Sequence, residues 1–193
     1  MADGEVAQPN EFPWMVNVNN MCGGSLISAE WVLTAAHCVH GNAAWNMVEL
    51  GQHDLRTAAI RMHISRVIIH KDWKRPVRYN NDIALLKLKN PVDFKNVRNI
   101  DRICLPANRA GTFARSTAIV AGWGKTSVHS GESRVLMKTD VKVISNTKCR
   151  QYGFDHSSVT SAMLCTVPRY WDNDFKGFCK GDSCYSTIPL LPP

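Results

Sequence analysis

Six short apolar segments, at residues 15–19, 24–27, 31–34, 47–51, 62–69 and 83–88, are separated by turn-forming residues in the first half of the chain. Segments of this length at near-regular spacing predict an antiparallel barrel or sandwich. Alternation is clear in Met62-His63-Ile64-Ser65, whereas the unbroken Val67-Ile68-Ile69 predicts a strand end covered on both faces. Residues 89–115, rich in Asn, Asp, Arg and Pro, read as a connector, with Pro91 and Pro106 interrupting any strand. Further strands are predicted at 116–120, 135–144 and 161–166, so the fold class is all-β.

The third segment runs into Trp31-Val32-Leu33-Thr34-Ala35-Ala36-His37-Cys38, an apolar run that stops at small residues and then presents an imidazole beside a sulfur. Histidine has the side-chain pKa nearest neutrality, which suits it to taking and returning a proton. The same word also fits a half-buried histidine with an ordinary structural role. Downstream residues bear on the choice. Asn80-Asn81-Asp82-Ile83-Ala84-Leu85 places a carboxylate ahead of a strand, where it could hold an imidazole in one tautomer. Cys179-Lys180-Gly181-Asp182-Ser183 places a hydroxyl after a glycine and an acid. Singly, Asn-Asn-Asp is turn chemistry and Gly-Asp-Ser a loop. Jointly, and in the order His, Asp, Ser, they are hard to obtain by accident.

These words, with Cys22-Gly23-Gly24-Ser25-Leu26 and Ala121-Gly122-Trp123-Gly124, resemble the trypsin/chymotrypsin family of serine proteases, over roughly residues 9–183. The resemblance implies a double six-stranded antiparallel β-barrel, with residues 1–106 forming the first barrel and connector and 107–193 a partial second barrel. It implies His37, Asp82 and Ser183 as the catalytic residues of a serine-type endopeptidase. The backbone N–H groups of Gly181 and Ser183 would then form the oxyanion hole. It also implies a short helix at 145–151, protein or peptide substrates, protein inhibitors, a secreted monomer and no cofactor. Gly177 stands where trypsin-like members place an aspartate, and Phe178 follows it. These two implied pocket residues predict an apolar rather than basic cleavage preference. For Trp123, core packing is expected rather than contact with substrate.

The 193 residues suffice for one domain or two small ones, and no apolar run approaches the length of a membrane span. The net charge of +7 raises nucleic acid or a sulfated polymer as a partner, but the densest cluster, His70-Lys71-Asp72-Trp73-Lys74-Arg75, is interrupted by an acid. Neither nucleic acid nor membrane is expected. The seven cysteines show no zinc-type spacing, so no metal is expected and oxidised pairs fit better. Asp54 alone, in the stretch where some relatives carry an acidic loop, predicts no calcium site. By resemblance, Cys22 pairs with Cys38 and Cys149 with Cys165, leaving Cys104, Cys179 and Cys184 unassigned.

The sequence departs from the family at both ends. Met1-Ala2-Asp3-Gly4 has neither the look of a secretory signal nor the family's Ile-Val-Gly-Gly start, whose amino group would pair with Asp182. After Ser183 the family continues Gly-Gly-Pro, whereas here Cys184-Tyr185 and a proline-rich run follow. This predicts an incomplete second barrel. It also sustains an alternative reading, a noncatalytic homologue that binds partners through its first half.

Overall fold

A computed structural model describes residues 4–41, 46–107, 111–126, 130–151 and 158–169. The elements in chain order are strands β1 (Glu5–Val6), β2 (Met15–Val18), β3 (Cys22–Leu26) and β4 (Trp31–Thr34), then the short helix α1 (Ala36–Val39). Strands β5 (Met47–Leu50), β6 (Ile60–Ile69), β7 (Ala84–Leu88), β8 (Thr117–Gly122) and β9 (Met137–Ile144) follow, then helix α2 (Asn146–Gln151) and β10 (Cys165–Pro168).

Strands β2, β3, β4, β7, β6 and β5 close into a barrel in that order, every pair antiparallel. Closure follows from the pattern of side chains. Val16, Val18, Leu26, Val32, Val48, Leu50, Leu86 and Leu88 fill the interior and are at most 2% exposed. Each apolar side chain so buried contributes roughly 1.5–3 kcal/mol relative to exposure. Gly51, with φ of 74°, ends β5 in the left-handed region that glycine adopts freely.

The second half is built on β9. It pairs with β8 along Met137–Lys142, with β10 through Val141–Ile144, and with β1 at Met137 and Lys138. Because β8 occupies one edge, β1 and β10 share the other. Among the described residues this is an open four-stranded sheet. With the closed barrel it makes the chain an all-β protein of chymotrypsin-like architecture.

The segment between β1 and β2 joins the two sheets. Ala7, Phe12, Met15 and Leu136 form a small buried cluster, with Trp14, Ile119, Ala121 and Trp123 packed against it. Trp123 donates its indole N–H to the His53 carbonyl at 3.1 Å, a packing and bridging role. Lys138 of β9 reaches Glu11 at 2.6 Å and Glu5 at 3.3 Å. Removal from water raises the Glu11 pKa, but the hydrogen bond from Lys138, the Gln8 backbone N–H and the charge of Lys138 outweigh this and hold it below the usual value. The Lys138 pKa is raised in turn, first by its hydrogen bond to Glu11.

Two expectations are corrected. Val67 and Ile68 are not covered on both faces, being 38% and 37% exposed. Beyond His63 the strand pairs with β7 alone, without β5 on its other edge, so the continuous apolar run does not mark two-sided burial. The strand predicted at 161–166 begins only at Cys165, because Ser161 and Ala162 are spent in a turn and pairing with β9 starts at Cys165 opposite Ile144.

Candidate active site

Strand β4 delivers His37. It is central in the barrel, paired to β3 and β7, and ends at Thr34, whose hydroxyl donates to the Gly23 carbonyl at 2.8 Å. Ala35 and Ala36 are buried, and their small side chains let the backbone turn at once into the single turn of α1. A disulfide joins Cys38, in that turn, to Cys22 at the start of β3. The imidazole therefore stands on a short helical turn pinned to the barrel on both sides, with 39% of its side chain exposed.

Asp82 arrives from the other direction, at the entrance to β7. Its Oδ2 lies 2.6 Å from His37 Nδ1, and its Oδ1 accepts the backbone N–H of His37 at 2.8 Å. One carboxylate thus fixes both the ring and the main chain that carries it. A carboxylate can only accept, so the proton between the two groups belongs to Nδ1, and Nε2 is left with its lone pair. That is the tautomer of a general base. Cys38 Sγ lies 3.6 Å from Nε2. Cys22, His37 and Cys38 cluster closely, but both sulfurs are committed to the disulfide and are not thiolates, which leaves one usable metal donor there.

The loop before Asp82 is tightly closed. Lys74 donates its backbone N–H to the Asn80 carbonyl at 3.0 Å, and Asn80 donates its own to Val77 at 3.0 Å. The Asn80 and Asn81 side-chain amides both donate to the Arg75 carbonyl, and Asn81 also donates to that of Asp72 at 3.1 Å. Asn81 has φ of 54°, a left-handed conformation that asparagine tolerates better than most residues. Its carbonyl receives the Ile83 N–H at 2.8 Å, and β7 begins immediately after. The sequence signals turn chemistry here. It does not signal that Asn80 is buried, at 4% exposure.

The remaining sequence-derived candidates are distributed as follows. Cys149 is bonded to Cys165, which fastens α2 to β10. Cys104 is an exposed free thiol. Gly177, Phe178, Cys179, Gly181, Asp182, Ser183 and Cys184, whose roles are expected from the resemblance, lie outside the described residues. Asp54 is engaged by Arg56, whose side-chain and backbone hydrogen bonds hold its carboxyl well below the usual range.

The trypsin family matches residues 1–184. Over 184 residues the chain is 34% identical to human granzyme M, an alignment covering 93% of this chain and 70% of that protein. It is 32% identical over 190 residues to the Drosophila melanogaster serine protease filzig, covering 89% of this chain but only 11% of that much longer protein. On these matches the chain belongs to the trypsin family of serine proteases.

Proposed function

We propose that the protein is a serine endopeptidase in which His37 and Asp82 work with Ser183. The observation that carries this reading is the double hold of Asp82 on His37, through Nδ1 at 2.6 Å and the backbone N–H at 2.8 Å. In the reaction, the Ser183 hydroxyl attacks a peptide carbonyl while His37 Nε2 takes its proton. The imidazolium so formed is stabilised by the Asp82 carboxylate, and it returns the proton to the leaving amine. The ester that remains is hydrolysed by water activated in the same way. The backbone N–H groups of Gly181 and Ser183 receive the oxyanion, each donor contributing about 3 kcal/mol to the transition state.

The substrates are proteins or peptides, with a preference for an apolar side chain because Gly177 supplies no carboxylate. The protein acts outside the cell as a monomer, open to protein inhibitors, and engages neither nucleic acid nor membrane. No helix among the described residues is long and apolar enough to cross a membrane. The test is a fluorophosphonate probe on purified, oxidised protein. Labelling that is lost in Ser183→Ala supports the reading. Failure of correctly folded protein to label overturns it and leaves a binding module with the family fold.

A further inference from the structure

Asp82 and His37 both belong to the first barrel, yet the loop that carries Asp82 is anchored in the second half of the chain. The anchor is Asn80, buried and two residues upstream of the carboxylate. Every polar group of Asn80 is engaged. Its backbone N–H goes to Val77, its carbonyl receives Lys74, its amide N–H goes to the Arg75 carbonyl, and its amide oxygen accepts from the Thr160 hydroxyl.

Thr160 is itself fixed. Its hydroxyl oxygen accepts the Ala162 N–H at 3.3 Å, and its carbonyl accepts the Asn146 amide at 2.7 Å. Asn146 opens α2 and also donates to the Met163 carbonyl at 2.9 Å. The disulfide from Cys149 to Cys165 closes the loop on which Thr160 sits. The chain of bonds therefore runs from α2 through Asn146, Thr160 and Asn80 to the turn that presents Asp82.

We infer that Asn80 and Thr160 are positioning residues, a hydrogen-bonded clasp through which the second half of the chain holds the Asp82 carboxylate in register with His37. The physical case is one of alternatives. A buried amide oxygen without its donor would be left unsatisfied, so the Asn80 side chain has reason to move once Thr160 is withdrawn. The Arg75 carbonyl, shared by Asn80 and Asn81, would then lose one of its donors, and Asn81 adjoins Asp82. Displacement of the loop is thus passed directly to a carboxylate whose two bonds to His37 depend on its orientation.

The inference rests on the proposed function for its catalytic consequence, but its test does not require Ser183. In the isotopically labelled, oxidised full chain, the His37 Nδ1 proton is followed by NMR, identified by its absence in His37→Gln, and its exchange with water is timed. Thr160→Val keeps the side-chain shape and removes the hydroxyl, and should speed exchange about tenfold, the equivalent of one ordinary hydrogen bond. Asn80→Ala should do the same, the double variant should be no faster than either single one, and Thr160→Ser should restore the wild-type rate. Lys138→Met, which perturbs the molecule elsewhere, is the stability control.

Exchange in Thr160→Val equal to wild type overturns the inference, as does an acceleration matched by Lys138→Met at the same loss of thermal stability. Should Asn80→Ala fail to fold, the Thr160 pair of variants decides alone. A wild-type chain that fails to label with fluorophosphonate but shows the Thr160 dependence refutes the proteolytic reading and leaves the clasp standing. In a chain that labels, Thr160→Val should slow labelling by a similar factor while KM for a peptide substrate stays unchanged.

Discussion

Gly24 lies so close to Leu33 across the β3–β4 pair that a Cβ on it would fall 3.0 Å from the Leu33 carbonyl oxygen, and equally close to Val32 Cγ1. Both neighbours belong to the strand that delivers His37, one of them as backbone. Gly24→Ala is therefore expected to push β3 and β4 apart. The cost should be about 1–3 kcal/mol, the range for overfilling a packed site. Urea unfolding of the two proteins measures it, and an unchanged midpoint would show that the strands yield freely.

Asp82→Asn tests the tautomer argument. One side-chain oxygen must still accept the His37 backbone N–H, so the amide nitrogen turns towards Nδ1 and makes it the acceptor. The ring proton then moves to Nε2, where no base remains. The rate of peptide hydrolysis should fall by ~10⁴-fold, the scale of such a change in Ser-His-Asp proteases, with little effect on thermal stability. A fall below tenfold would contradict the assignment.

The disulfide between Cys22 and Cys38 spans 16 residues of sequence. Loop-closure entropy for that span corresponds to about 3 kcal/mol. Replacing both cysteines by alanine should lower the stability to denaturant by that order. It should also loosen α1, since the bond is what ties that turn to β3. Denaturant midpoints and the heteronuclear relaxation of the His37 amide report the two effects separately.

The contacts of Glu11 and Lys138 give stability a definite pH dependence. The folded-state pKa of Glu11 is lowered from the ordinary 4.5, so its contribution is complete above that value and is lost as pH falls through the lowered one. That of Lys138 is raised from 10.5, so its contribution is complete below 10.5 and is lost as pH rises through the raised value. Glu11→Gln should make the decline of melting temperature below pH 4.5 shallower, and should flatten the alkaline limb as well, leaving there only the part that Lys138 owes to Glu5. Parallel acid limbs for the two proteins would show that the contact is inert.

Much of this architecture is legible in the sequence because the barrel strands are short, apolar and bounded by turn residues. Residues 31–34 form a strand with the predicted ends, since Glu30 and the alanines at 35 and 36 punctuate it on both sides. His37 and Asp82 can be nominated from their flanking words, but their separation of 2.6 Å depends on β4 and β7 being neighbours, which no local signal states. Strand β1 is invisible in sequence, having two residues and a partner far along the chain. Helix α1 is too short for a helical period. Asn80 and Thr160 are not legible in the sequence, because Asn-Asn-Asp reads as turn chemistry and burial of its first residue is decided by the segment that packs over it. A polar residue flanking a catalytic candidate is worth checking for a partner far along the chain.

The pairing of Glu5 with Lys138 and Val6 with Met137 sets an order on how this molecule can be made. The barrel needs nothing beyond Leu88 for its six strands, so it can assemble while the later residues are still being synthesised. The amino-terminal strand cannot. Its partner on β9 is translated long after it, and contacts so distant along the chain are slow to form. Strand β1 is therefore among the last elements to find its place, docking as a strap onto a second sheet that must already exist.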